Sequence, residues 1–505
     1  MIMKSIIKKQ ILQFVTLSVL LSFYSCINNK KETKEIKEKI SSLTKTTTKR
    51  PNILVVLCDD LGYSDVGFNG AKDIKTPGLD KLAKNGTIFT DAYVAHPFCG
   101  PSRTSIMTGR YAHKIGGQFN LPRAHENAGL GITTKEEFIS KTLQKSGYYT
   151  GAIGKWHLGT VQKYHPNNRG FDDFYGFLGG GHNYFPKQFK AEYEKQKANG
   201  NTKIRDYITP LQFNGKEVDE NEYITDALSR EAINFINKAN QKNDPFFLYV
   251  SYNAPHTPLE AKEEDLKLYS HIKDKKRQIY AGMVHAVDRG VTNIVETLKK
   301  NHQLENTLIV FFSDNGGKLS KGATNYPLAE GKGSTNEGGY RVPMFFHWPN
   351  VVPSGKKFEH PISALDLYPT FTHLANAKLP DNKILDGKNI WNDFLHGKNS
   401  YENENIYALR HRIEFKNHTD VGVRKNQWKA LKTNNNNWTL YDIQNDPGEK
   451  NDLSKVHPKI LDNLVKDAKN WSSTNQQPLW FHNERTAEQW EKNKMPHFDQ
   501  TFKTN

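Results

Sequence analysis

A chain of 505 residues with 36% hydrophobic and 25% charged positions is long and apolar enough to bury a large core and a satellite domain, which excludes a disordered chain. Its net charge of +16 invites a nucleic-acid reading, yet residues 1–50 hold eleven Lys/Arg against three Glu, so half of the excess lies in that short segment. What remains is a mildly basic surface suited to an anionic substrate, and no nucleic-acid partner is expected.

Residues 1–26, MIMKSIIKKQILQFVTLSVLLSFYSC, combine a basic start, an apolar run and a small residue before a cysteine, the layout of an export signal. The apolar run is short for a membrane span. A cysteine directly after the cut implies a bacterial lipoprotein anchored through Cys26, although bulky Phe23 and Tyr24 stand where small residues are preferred. The expected location is the periplasm or the outer-membrane surface, and a plain exported form stays open. Residues 27–50 are almost wholly polar and read as a flexible tether.

From Pro51 onward, apolar runs alternate with helical patterns. NILVVLCDD (52–60), YTGAIGKWH (149–157), FFLYVSYNAPH (246–256), TLIVFFSDNG (307–316) and VPMFFHW (342–348) read as buried strands. Between them, GLDKLAKNG, EEFISKTLQKSG, DALSREAINFINKA and KKRQIYAGMVHAVDRGVTNIVETLKKN read as helices. The alternation predicts an α/β domain over 51–400 built on a large, mostly parallel sheet with helices on its faces. Over 401–505, IYALR, DVGVRKN, QWKALK and NWTLYDI predict a smaller antiparallel sheet, with one helix across HPKILDNLVKDAKNW. The chain shows no internal repeat, no G-x-G-x-x-G and no P-loop fingerprint.

In parallel sheets, sites gather at the carboxyl ends of strands. Four of the five runs end in chemistry: Asp59-Asp60, Lys155 and His157, His256, and Asp314-Asn315. An acidic pair taken alone is more often a cap or a solvated turn. Two such pairs at equivalent strand ends offer hard oxygen ligands without His or Cys, favouring Ca²⁺ or Mg²⁺ over zinc.

The stretch HPFCGPSRTSIMTGR places Cys99 before a proline suited to the first turn of a helix. Cys99 is thereby expected at the positive end of that helix, with Arg103 and Arg110 on one face: a setting for an anion. Cys58 closes an apolar run and reads as core, although a Cys58–Cys99 disulfide is open in an exported protein. Lys332, in EGKGSTNEGG, adds another cation, and His182, in GFLGGGHNYFP, belongs either to a sugar cleft or to an ordered loop.

CGPSR with the downstream TGR resembles the C-x-P-S-R signature of the type I sulfatases of the alkaline phosphatase superfamily. DDLGYSDVG, TPGLDKLAKNG, GKWHLG, APHTP, SDNGG and GKGSTNEGGYRVP extend the resemblance from about Pro51 to the Asp446-Pro447-Gly448-Glu449 region. It implies an alkaline-phosphatase-like fold and hydrolysis of sulfate esters, with a sulfated carbohydrate or polysaccharide fragment as substrate. It also implies one Ca²⁺ held by Asp59, Asp60, Asp314, Asn315 and an oxygen of a modified Cys99. A formylglycine-generating or sulfatase-maturating enzyme would convert Cys99 to 3-oxoalanine (formylglycine). The resemblance assigns Arg103 to steadying its hydrate, Lys155 and Lys332 to clamping sulfate, His157 to the base and His256 to the acid for the leaving alcohol.

This chain departs from the family pattern P-L-R-G-G-K-G at Ala329 and Glu330, and from T-P-N-L-D at Gly78. Two other readings are a phosphate or phosphonate ester hydrolase of the same superfamily and an inactive calcium-dependent glycan-binding protein.

Overall fold

The computed structural model describes residues 50–122, 129–412, 418–434 and 436–492. The expected export signal, Cys26 and all of the expected tether but Arg50 lie outside the described residues. Among those described, no helix is long and apolar enough to cross a membrane.

Twelve strands belong to the larger part: β1 (Asn52–Cys58), β2 (Thr87–Phe89), β3 (Ala92–Tyr93), β4 (Tyr149–Lys155), β5 (Asp173–Phe177), β6 (Leu211–Phe213), β7 (Lys216–Val218), β8 (Phe246–Ser251), β9 (Thr307–Ser313), β10 (Met344–His347), β11 (Lys356–Phe358) and β12 (Ile362–Ser363). Ten of them form one sheet in the order β11-β2-β10-β9-β1-β8-β4-β5-β6-β7. The central five, β9-β1-β8-β4-β5, are parallel, and antiparallel pairs at β10/β9 and β5/β6 flank them. All five strands read from the sequence lie in this sheet, with β1, β8 and β9 buried at every position.

Burial on both faces is what continuous apolar runs predict, because helices cover each side of a parallel sheet. Ile53, Val55 and Leu57 of β1 join one apolar core, while Leu54, Val56 and Cys58 join the other. The second core packs against the helices Ile224–Lys242 and Lys275–Lys300 through Leu228, Phe235, Met283, Val287 and Val291. Cys58 is a buried core thiol, free like Cys99, and burial pushes it well above the usual thiol range.

The carboxyl-terminal sheet is the antiparallel meander β13 (Asn405–Arg412), β14 (His418–Lys425), β15 (Trp428–Lys432) and β16 (Thr439–Asp442). Its inner face packs Leu409, Val421, Ala430 and Leu440 against Leu464, Ala468 and Trp471, the last three from the helix Pro458–Ser472. Buried ion pairs tie this sheet to the larger part. The Lys429 ammonium lies 2.9 Å from Glu337 and 2.8 Å from Glu449, all with fully buried side chains, and Arg424 lies 2.6 Å from Asp91.

A cluster of buried histidines occupies the same junction. The His113 ring lies 5.3 Å from that of His96, 6.1 Å from that of His411 and 5.7 Å from that of Trp471. Burial pushes all three imidazoles down, His113 to about 3. The unfolded chain, with ordinary imidazoles near 6.5, therefore takes up protons that the folded one refuses, and stability falls with pH below about 6.5. Titration of His113 is expected to remove about 2–3 kcal/mol by pH 4.5. Urea midpoints measured between pH 7 and 4.5 should fall less steeply for His113→Phe than for the unsubstituted protein; identical slopes would show that the ring carries no such linkage.

Candidate active site

The strand register builds the site. Cys58 pairs with Ser313, while Ser251 pairs with both Leu57 and Gly154, so β1, β9, β8 and β4 end level. The residues just beyond or at those ends, Asp59-Asp60, Asp314-Asn315, His256 and Lys155, are thereby delivered to one edge. The turn after β1 is held by Tyr280, whose hydroxyl accepts from Gly62 N at 3.0 Å and donates to Asp60 O at 3.2 Å. Ser313 Oγ accepts from Leu61 N at 3.0 Å and donates to the Asn315 carbonyl at 2.7 Å.

Carboxylates and cations meet there in pairs. Lys155 Nζ donates to Asp59 Oδ2 at 2.5 Å. Lys332 Nζ donates to Asp60 Oδ1, which also accepts from Asn315 Nδ2 at 2.8 Å. Arg103 reaches Asp314 Oδ2 through both Nε and Nη2, each at 2.8 Å, and its Nη1 donates to Ser251 Oγ and, at 3.2 Å, to the Lys155 carbonyl.

Burial of these charges without partners would cost several kcal/mol each. Burial alone would raise the Asp59 carboxyl, but Lys155, His256 and Arg103 outweigh it and hold the group well below the usual range. Asp314 is displaced the other way, upward, by burial and by the Asp59 charge. Lys155 and Lys332 are both raised: burial opposes their charge, but Asp59 and Asp60 respectively outweigh it.

Cys99 opens the helix Cys99–Thr108, whose residues are all buried, and Asn120 Oδ1 lies 3.0 Å from Gly100 N and 3.8 Å from Cys99 Sγ. Ligand atoms of Asp59, Cys99 and Asp314 lie within 4.8 Å of one another, as do those of Asp59, Asp60 and His256. Asp59 Oδ1 and Asn315 Oδ1 are buried and have no hydrogen-bond partner. An oxygen-rich set with two orphaned acceptors fits a hard divalent cation, held by Asp59, Asp60, Asp314 and Asn315 beside Cys99.

A cleft of 370 Å³ opens over this edge, its walls including Cys99, Asn120, His157, Tyr207, His256 and Lys332. His256 Nδ1 donates to the Thr257 carbonyl at 2.7 Å, leaving Nε2 3.8 Å from Asp60 Oδ2; burial pushes this imidazole down to about 4. β4 stops at Lys155, and a left-handed conformation at His157 (φ 62°) turns its ring under Gly180, where a Cβ would stand 2.9 Å from His157 Nε2. Burial, then the Lys155 charge, holds the His157 imidazole well below its ordinary value.

Cys99, Arg103, Lys155, His157, His256 and Lys332 are thus brought together with the four oxygen ligands. One open reading is decided, and one sequence expectation fails. His182 has no exposed surface: its ring packs between Phe177 and Phe189, with Nδ1 2.7 Å from the Asn183 carbonyl and Nε2 2.8 Å from the Thr209 carbonyl. It is a core residue, and its segment meets the cleft through Leu178, Gly179 and Gly180. Arg110 does not share the Cys99 helix face, because Gly109 (φ 67°) ends the helix and Arg110 pairs with Glu136.

Sequence reasoning missed Asn120, in a loop without periodicity, and Ser251, hidden as the last residue of an apolar strand. It also missed Arg410 and Arg412 of β13, both of which donate to the Gly333 carbonyl beside Lys332.

Residues 51–377 match the family model described as Sulfatase, and residues 332–472 the one described as N-sulphoglucosamine sulphohydrolase, C-terminal. The uncharacterized sulfatase YdeN of Escherichia coli (strain K12) is 30% identical over 86% of this chain and 87% of its own. The N-acetylgalactosamine-6-sulfatase of Homo sapiens is 33% identical over 69% of this chain and 66% of its own. Among solved structures, Ps i-CgsB in complex with k-i-k-neocarrahexaose is 60% identical, covering 90% of this chain and 100% of that one with a TM-score of 0.88.

Proposed function

Because this chain belongs to the sulfatase family and is a sulfuric ester hydrolase acting on carbohydrates, we propose that it is an exported enzyme that removes sulfate from a carrageenan-type sulfated galactan. It would do so through a formylglycine formed at Cys99 and a bound Ca²⁺. The observation that carries this reading is the position of Cys99: it stands at a helix amino end, within ligand distance of Asp59 and Asp314, on the wall of a cleft shared with Lys332 and His256. The likeness to Ps i-CgsB, solved with a neocarrahexaose, supports the galactan class.

Cys99 as a thiolate would become trapped as a thiosulfate, with no internal way to release it. Formylglycine, introduced by a maturating enzyme, supplies as its hydrate two hydroxyls on one carbon, one to attack sulfur and one whose deprotonation expels sulfate. Asp59, Asp60, Asp314 and Asn315 would hold Ca²⁺ beside that carbon, where the ion supplies Lewis acidity.

Lys332, on the cleft wall and positioned by Asp60, presents its ammonium to the sulfate oxygens. Lys155 adds charge from beneath while keeping Asp59 ionised. Such fixed cations stabilise developing charge more strongly than water does, because they need no reorganisation. Arg103 positions Asp314 from behind. His157, on the wall of the same cleft, would serve as the base that accepts a hydroxyl proton. His256, with Nδ1 committed to Thr257, presents Nε2 to the leaving oxygen and returns a proton there. Burial lowers its pKa to about 4, and the Asp59 and Asp60 charges oppose that shift.

His256→Ala is expected to lower kcat by about 10²-fold or more on a sulfated galactan oligosaccharide, and by clearly less on 4-nitrophenyl sulfate, whose leaving group needs no proton. Equal losses on both would remove His256 from the acid role. Intact phosphate-ester turnover with no sulfate release would favour the phosphatase reading. Sulfur retained at Cys99 in fully active protein, read by peptide mass spectrometry, would refute the formylglycine step.

The ion is tested separately. Adding Ca²⁺ to chelator-treated protein at 100 times its Kd should stabilise it by about 2.7 kcal/mol, seen as a higher urea midpoint. Asp59→Asn and Asp314→Asn should abolish that gain, and an unchanged midpoint in the unsubstituted protein would refute the site.

A further inference from the structure

The three cations at the sheet edge each have a carboxylate partner: Lys155 has Asp59, Lys332 has Asp60, and Arg103 has Asp314. Two more cations line the same cleft, Arg205 and Lys318. Both are exposed, and among the described residues neither is paired with a carboxylate.

Arg205 is not simply a mobile surface side chain. Its guanidinium carbon lies 4.1 Å from the centroid of the Tyr207 ring, and that ring lies 6.4 Å from the ring of His256. Stacking on an aromatic face fixes the plane of the guanidinium while leaving its N–H edge free to donate in forked fashion. Lys318 follows Asn315 by three residues and stands on the cleft wall with Lys332. Partial burial and the Lys332 charge both push its ammonium down. Folding gains nothing from holding cations in one cleft without counterions, whereas an anion bound there relieves their repulsion and finds ready donors.

We propose that Arg205 and Lys318 form a second anion subsite, which binds an anionic substituent of the glycan other than the sulfate being removed. This rests on the sulfatase reading. The cleft spans only 370 Å³, so the second anion belongs to the sugar being desulfated or to its neighbour. Charge of this kind comes from a second sulfate ester or from a uronate carboxylate. Neither residue takes part in bond cleavage; together they select substrates that carry two anions at the right spacing.

The test uses full-length protein carrying Cys99→Ala, so that binding is measured without turnover. The probes are carrageenan-type tetrasaccharides carrying one or two sulfates in all, and a monosulfated tetrasaccharide containing uronate. Arg205→Gln and Lys318→Gln, singly and together, are compared with the Cys99→Ala parent by calorimetry. The parent should bind a doubly anionic probe more tightly than the singly sulfated one, and each substitution should erase about tenfold of that preference.

Loss of preference for the second sulfate identifies a sulfate subsite, and loss of preference for the uronate probe identifies a carboxylate subsite. Equal binding of all probes by the parent, or a preference kept by the double variant, overturns the proposal. In enzyme with Cys99 intact, the ratio of kcat/KM values on doubly and singly sulfated probes should fall in parallel. Absent sulfate release alongside an Arg205-dependent binding preference would overturn the hydrolytic reading and leave the subsite standing.

Discussion

The pairing of three buried carboxylates with three buried cations at the carboxyl edge of the parallel sheet is the constraint on which the rest of the molecule depends. Asp59, Asp60 and Asp314 are opposed by Lys155, Lys332 and Arg103, so each buried acid faces a buried cation. Removing one member leaves its partner charged in a medium that solvates it poorly. A divalent ion held there would add positive charge to the set and so would favour an anionic ester. Charge balance for folding and charge excess for catalysis can therefore coexist on the same side chains.

That pairing is possible only because four strands end level. A slip of one residue between β1 and β9 would break the Cys58–Ser313 register and swap which core each side chain enters. Apolar burial on both faces of the sheet thus does more than stabilise it. The alternation of Ile53, Val55 and Leu57 against Leu54, Val56 and Cys58 makes any other register costly, and fixes where the acids emerge.

The same physics decides what could be read in the sequence. Runs such as TLIVFFSDNG announce both a buried strand and the ligands beyond it, because the apolar period and the polar ending are local. His182 was ambiguous because its two carbonyl partners come from Asn183 and from Thr209, 27 residues away, a placement no local pattern encodes. Arg110 was misjudged because Gly109 takes a left-handed conformation one residue short of it. Arg205 and Lys318 lie in loops with no period, and only the folded chain brings them to one cleft. Glu330 departs from the glycine of the family pattern yet keeps a left-handed backbone (φ 58°), with its carbonyl held by Asn325 at 3.0 Å. There the tertiary setting imposes the conformation that glycine would adopt freely.

Arg410 and Arg412 reach from β13 to one carbonyl, that of Gly333, whose own N–H is bound by Pro97 two residues before Cys99. Lys332 therefore sits between a peptide segment synthesised early and a strand synthesised late. A nascent or truncated chain that stops before residue 405 can lay down every member of the charged centre and still lack the brace behind one of its ammonium groups. Support for the charged centre thus reaches across from β13, so the carboxyl-terminal sheet steadies a residue of the site whose own ammonium lies on the cleft wall.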